Sequence, residues 1–468
     1  DFAASSHEPS RQILIDWVHE WIAAFGQGTG PGWKPELAAR RLIRWIAHSI
    51  DLLRGRPTEQ SHAFFRTLSA HARFLDRRWK STRPGIERIE ALAGMVYARL
   101  SLESGMAADD AIRLLGQTAG AMVDAEGAIP SRNPQEVLRM VEILGWSAGI
   151  IDAAGKQPDP SHLGALNRLV PSLQALAHAD GRLARFHGGR ADAPGAVARA
   201  LDGIALRQVA ERRDLALGYL RMTGGEATVL LDAAPPPGTA EAHASALAME
   251  FTSGAHPIVV NAGSGRGFGR EAEAAGRTST AHSGLLIGVL TGPGPDGTLA
   301  KTLPDPGGPV SATRTQAEDG VWALGESRAW LAPFGLFHER RLHLGRDGLV
   351  LSGEDTVVAS TQQDRARLAK AMPADLSNRR FSANFVIHPD ARVAPALNGR
   401  AALIVLADGT KWMLRTDGQT VEIHPSQYFE AARTHPRATK QVVVMGDILE
   451  YWGRITWSLE RLAGPEPG

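Results

Sequence analysis

The chain has 468 residues, 43% hydrophobic and 22% charged, enough to bury more than one core. Its 51 basic and 50 acidic residues leave a formal net charge of +1, which excludes any general electrostatic pull toward nucleic acid or an anionic membrane. Cysteine is absent, so disulfides, thiolate nucleophiles and cysteine-based metal sites are excluded, while the compartment stays open. No apolar run approaches the roughly 18–20 residues that span a bilayer. The chain opens DFAASSHEPS, with neither Met nor a basic stretch leading into an apolar run, so removal of a leader and trimming both remain open.

The first part of the chain carries the helical period. In RQILIDWVHEWIAAF, residues Ile13, Leu14, Trp17, Val18, Trp21 and Ile22 fall on one face. In PELAARRLIRWIAHSIDLL, the stripe is Leu42, Ile43, Ile46, Ile50 and Leu53, and Trp17, Trp21 and Trp45 read as core. Further helices are predicted near 60–79, 84–104, 108–124, 134–154 and 160–178, separated by breaks such as RGRP, RPG and GKQPDP. Helix following helix on short connections argues for hairpins in a bundle or an α/α toroid.

From about residue 215 the period changes. YLRMTGGEATVLLDAAPPPG pairs two strand-like runs around Gly224-Gly225, a hairpin signal. PIVVNAG, SGLLIGVLTG, RRLHLGRDGLVLSGEDTVV, RRFSANFVIHP, AALIVLADGTKWMLRTDG, KQVVVMG and ITWSLERL follow, each bounded by turn formers. The expected architecture is an all-α domain over 1–205 and an all-β domain over 206–468, with the boundary at about 195–215. A cleft between two such domains is a favoured place for a ligand. GSGRGFG, Gly263–Gly269, lacks the strand–loop–helix context of a phosphate loop, so no nucleotide cofactor is expected, and no Gly-x-Ser-x-Gly elbow is present.

LLDAAPPPG, AHASALAMEFTSGAHPIVVNAG, GRTSTAHSGLLI, FGLFHERRLHL and ITWSLERL, with FFRTLSAHARFL, EGAIPSRNPQEVL and DGRLARFHGG in the helical part, resemble the heparinase II/III family of polysaccharide lyases. The closest likeness is to a proteobacterial branch. The resemblance implies an incomplete α/α toroid followed by a large antiparallel β-sandwich. It also implies β-elimination on a uronic-acid polysaccharide: a base takes the C5 proton, the 4-linked oxygen leaves, and a cationic or amide group neutralises the carboxylate.

The sequence departs from the family pattern at the catalytic positions. Ile86 and Glu87 follow Gly85 where the family places Asn and His, and Glu136 stands near the expected tyrosine. The four tyrosines, Tyr97, Tyr219, Tyr428 and Tyr451, lie elsewhere. Replacement machinery is expected from Arg132 on the carboxylate and from His187 or His282 as base. Substrate contacts are assigned to Arg132, Asn133, Phe186, Arg88 and His243. Asn133-Pro134 also reads as a helix cap, and Phe186 as an exposed aromatic at a rim. The resemblance further implies zinc on His282 and His338, with Asp296 or Asp305 in support; two hydrogen-bonded sheet histidines are the alternative.

Three functions are thus compatible with the sequence. The first is a lyase acting on an acidic polysaccharide or oligosaccharide. The second is a non-catalytic glycan-binding or scaffold protein that lost the Asn/His/Tyr set. The third, a glycoside hydrolase, needs facing carboxylates roughly 5–10 Å apart, for which Glu87, Glu126 and Glu136 are candidates. No nucleic-acid partner and no membrane span are expected; an oligomer is allowed, and bacterial periplasm and cytoplasm are both compatible.

Overall fold

The computed structural model describes residues 8–102, 108–190, 195–202, 204, 214–239, 241–288, 308–372, 379–430 and 433–463. The chain divides into two compact units. One holds residues 1–127, 138–170 and 200–209; the other holds 128–137, 171–199 and 210–468.

The helices are α1 (Glu8–Phe25), α2 (Pro35–Ala47), α3 (Ser49–Leu53), α4 (Thr58–Arg78), α5 (Ile86–Ser101), α6 (Ala108–Met122), α7 (Pro134–Ala153), α8 (Pro160–Ala175) and α9 (Ala196–Leu201). Helix α5 is the hub of its unit. It starts after Gly85, whose φ of 121° suits only glycine, and every residue from Ile89 to Ala98 is buried. A helix apolar on all sides belongs at a core, and α5 packs against α2, α4 and α6. Its one buried carboxylate, Glu90, is held by Arg40 at 2.7 Å and Arg139 at 3.0 Å.

Two expected stripes are corrected. The long stripe through Ile50 fails because the chain leaves the helix at His48 (φ −109°, ψ 18°), and Ile50 is 76% exposed. In α1 the buried residues are Ile15 and Ile22, and Trp17, expected in the core, is 65% exposed.

The strands are β1 (Leu215–Ala216), β2 (Tyr219–Gly224), β3 (Ala227–Asp232), β4 (Met249–Ser253), β5 (His256–Val260), β6 (Leu285–Ile287), β7 (Val310–Gln316), β8 (Gly320–Ser327), β9 (Phe337–Gly345), β10 (Val350–Val358), β11 (Arg380–Ile387), β12 (Arg392–Ala396), β13 (Ala401–Val405), β14 (Lys411–Thr416), β15 (Val421–Tyr428), β16 (Arg437–Asp447) and β17 (Trp452–Arg461). Short helices α10 (Arg270–Gly276), α11 (Leu331–Phe334) and α12 (Gln362–Ala371) lie among them. The expected β2–β3 hairpin forms, but Gly224 still pairs with Ala227, so its turn is Gly225-Glu226, one residue beyond the Gly224-Gly225 position read from the sequence.

One sheet runs β1-β2-β3-β4-β5-β11-β16-β15, with β6 beside β11; the other runs β12-β13-β14-β17-β10-β9-β8-β7. Every strand pair among the described residues is antiparallel. The inner faces share one core, in which Val229, Phe251 and Phe385 of the first sheet join Leu342, Trp412 and Trp457 of the second. The fold class is therefore an incomplete helical toroid followed by an antiparallel β-sandwich. No described helix is long and apolar enough to cross a membrane.

Candidate functional site

Strand β3 ends TVLLD, and its last residue, Asp232, is buried at the end of an apolar run. A carboxylate in such a place needs partners. Arg132 supplies the main one. It stands in the turn before α7 with a φ of 52°, a left-handed conformation uncommon outside glycine. Its Nε donates to the Leu217 carbonyl at 2.8 Å, Nη1 to the carbonyls of Ala234 at 3.0 Å and Pro235, and Nη2 to the Gly218 carbonyl at 3.1 Å and to Asp232. A guanidinium has five N–H groups, and here five acceptors take them. The Tyr219 ring lies 4.8 Å beneath it, and the Tyr219 hydroxyl donates to the Arg132 carbonyl at 2.7 Å.

Arg132 meets Asp232 Oδ1; Oδ2 accepts from Ser245 Oγ at 2.7 Å, and His187 Nε2 lies 3.2 Å from the same Oδ2. Burial pushes the Asp232 carboxyl up, but Arg132 above all, then His187 and Ser245, bring it down to about 2. His187 Nδ1 accepts from the His243 backbone N–H at 3.1 Å, and His243 Nε2 accepts from Gly188 N–H at 3.0 Å. These contacts assign the His187 proton to Nε2, facing Asp232, and the His243 proton to Nδ1, which has no partner. His282 follows, its ring 5.2 Å from that of His243, which in turn is 6.1 Å from His187. Neither His282 nitrogen makes a well-formed hydrogen bond. Burial pushes the His282 imidazole down to about 3 and holds His243 well below its ordinary value. The site is thus a buried Arg–Asp ion pair beside a row of histidines, two of them held neutral by burial.

All three rings face inward: His187, His243 and His282 are at most 2% exposed. Phe186, expected as an exposed rim aromatic, is fully buried and stacks on Tyr219 with ring centroids 4.9 Å apart. The reason is topological: DGRLARFHGG folds into the sandwich unit, and Ala177 and Leu183 bridge at its start. Asn133 takes the cap role, its Oδ1 accepting from Gln135 N–H at 2.9 Å ahead of Pro134. Arg88 lies in the helical unit and donates to the Thr82 carbonyl at 2.6 Å. Of the tyrosines, burial pushes the Tyr97 phenol up to about 12, Tyr219 well above its ordinary value, and Tyr428 upward.

The expectation of zinc is overturned. No group of three or more His, Cys, Asp or Glu among the described residues is arranged to hold a metal ion. His338 is already committed: its Nε2 lies 2.8 Å from Asp355, which also receives Arg340 through Nε at 2.7 Å and Nη2 at 3.0 Å, and Trp457 Nε1 at 3.1 Å. Asp296 and Asp305 lie outside the described residues.

Sequence reasoning missed Asp232, Asp355 and Glu250. Glu250 is buried against His178 Nε2 at 3.0 Å, Arg185 N–H at 3.2 Å, and the backbone and side chain of Asn261 at 3.0 and 3.1 Å. A signal was available: each is a carboxylate inside a strand-like run, and such groups are almost never buried without a cation or a set of donors.

Residues 213–458 match the family described as heparinase II/III-like, C-terminal. The chain belongs to the heparinase II/III-like family. Along 99% of its length it is 29% identical to FtsZ-localized protein C of Caulobacter vibrioides (strain NA1000 / CB15N), covering 80% of that protein. Solved structures share the fold at low identity. Heparinase III superposes with a TM-score of 0.69 at 10% identity, over 98% of this chain and 75% of that one. The heparinase III-BT4657 gene product gives 0.66 at 14%, over 92% and 68%. The heparan sulfate lyase HepC from Pedobacter heparinus gives 0.61 at 13%, over 99% and 74%. The chain therefore carries a lyase-like fold.

Proposed function

We propose that this heparinase II/III-like chain is a non-catalytic member of its family, a binding protein that works where FtsZ assembles. The observation that carries the reading is Arg132. Elimination from a uronate needs a donor to neutralise the carboxylate while a base removes the C5 proton. All five Arg132 N–H groups are spent on the chain's own carbonyls and Asp232, so none is left for a sugar. The candidate bases His187 and His282 are buried beside it. Burial raises three of the four tyrosines, which leaves less phenolate available to act as base at neutral pH.

Similarity supports the proposed place of action. The relative named for FtsZ localisation matches nearly the full chain at 29% identity, against 10–14% for the lyase structures cited above. On this reading the toroid-and-sandwich framework serves as a platform for binding, with glycan the class of ligand the family fold suggests.

A fluorescent fusion of this chain in Caulobacter vibrioides lacking FtsZ-localized protein C is expected to follow FtsZ. A full-length fusion that stays diffuse while FtsZ forms its normal structures would contradict the assignment.

A further inference from the structure

We propose that the end of the sandwich at the β16–β17 connection, where the chain passes from one sheet to the other, is a binding site for an uncharged glycan, separate from the buried histidine cluster. This connection lies beside a groove of about 490 Å³, within the size range of small-ligand sites. Its wall is strand ends and turns: Arg380 opens β11, Gln419 lies between β14 and β15, Asp447 closes β16, and Trp452, Arg454 and Thr456 open β17.

Trp452 is 51% exposed. Its backbone is fixed on both sides: Trp452 and Leu449 exchange N–H···O=C bonds of 3.1 and 2.9 Å, and Trp452 is paired with Val358 across the sheet. The neighbouring Tyr451 is taken by Arg365, whose guanidinium carbon lies 4.6 Å from the ring centroid. Among the described residues no ring or cation stacks on Trp452. A large aromatic ring half in water at the mouth of a polar groove offers a free face that suits the C–H side of a pyranose. The strand already fixes its backbone, so only the side-chain torsions are ordered on binding.

Charge selects the class of sugar. Arg380 lies 3.4 Å from Asp447, and Arg454 lies 3.6 Å from Glu354. Asp417 and Glu422 also line the groove. The lining has no positive excess, so a polyanion gains nothing there, whereas alternating guanidinium, carboxylate and amide groups match the donors and acceptors of sugar hydroxyls and acetamides.

The test is isothermal titration of the intact protein with chitohexaose and cellohexaose, and with a heparin oligosaccharide as the acidic probe. Saturable binding of a neutral hexasaccharide is expected. Trp452→Ala should weaken it about tenfold or more, and Gln419→Ala should weaken it less, with both variants keeping the wild-type melting temperature. Three results would overturn the proposal: no neutral oligosaccharide binds, Trp452→Ala leaves binding unchanged, or the heparin oligosaccharide is the ligand lost in Trp452→Ala. Neutral sugars lack the C5 carboxylate that elimination requires, so this outcome is independent of the non-catalytic reading.

Discussion

Asp355→Ala is expected to destabilise the protein by about 3–5 kcal/mol. Asp355 and Arg340 are both fully buried between sheet layers. The carboxylate receives a two-pronged guanidinium, an imidazole and an indole N–H, all at 2.7–3.1 Å. Removing it strands the Arg340 charge, which keeps only the Leu247 carbonyl at 2.7 Å and a longer contact to the Ser283 carbonyl at 3.4 Å. The cost is thus the desolvation of an unpaired buried cation rather than the loss of one attraction. The double change Arg340→Met with Asp355→Leu removes both charges and should recover much of the loss. Urea denaturation of the two variants measures this. A single variant within 1 kcal/mol of wild type would mean the network carries little weight.

Acid should unfold the protein well before its carboxylates titrate. Burial depresses His282 and His388 to about 3 and His71 to about 4, against an ordinary 6.5. In each case the folded state holds the neutral ring, while the unfolded chain takes up protons below pH 6.5. Their contribution is complete above 6.5 and is lost as pH falls toward 3–4. At about 1.4 kcal/mol per pH unit, His282 alone accounts for a loss of the order of 4 kcal/mol across that range. Asp232 and Glu250, both held near 2 despite their burial, chiefly by Arg132 and Arg185 respectively, extend the decline below pH 4. Melting temperature should be flat from pH 8 to 7 and fall steeply below 6.5. His282→Leu should flatten the limb; a profile unchanged by that substitution would remove His282 from the account.

The helix bounds were legible because the 3.6-residue period and the Gly and Pro breaks are local signals. Predicted stretches at 84–104 and 134–154 correspond to α5 at Ile86–Ser101 and α7 at Pro134–Ala153. The strands were legible for the same reason. Individual exposure was not. Trp17 and Ile13 belong to the predicted apolar stripe yet both stay in water, because which part of a stripe is covered depends on the neighbouring helix. The site was read inside out. Arg132 looked available in a Pro-bracketed turn, but its acceptors lie 85–103 residues away, beyond any local pattern. Phe186 and His187 sit in a Gly-rich stretch that reads as a surface loop, and only tertiary packing turns both inward.

The most direct test of the account is the ultraviolet absorbance of the C4–C5 double bond that β-elimination creates. Purified protein would be incubated with heparan sulfate, chondroitin, hyaluronan and alginate beside an active heparinase III as control. The account predicts no protein-dependent rise on any of them. A rise that grows with enzyme concentration would contradict it. The Arg132 and histidine cluster would then have to open during turnover.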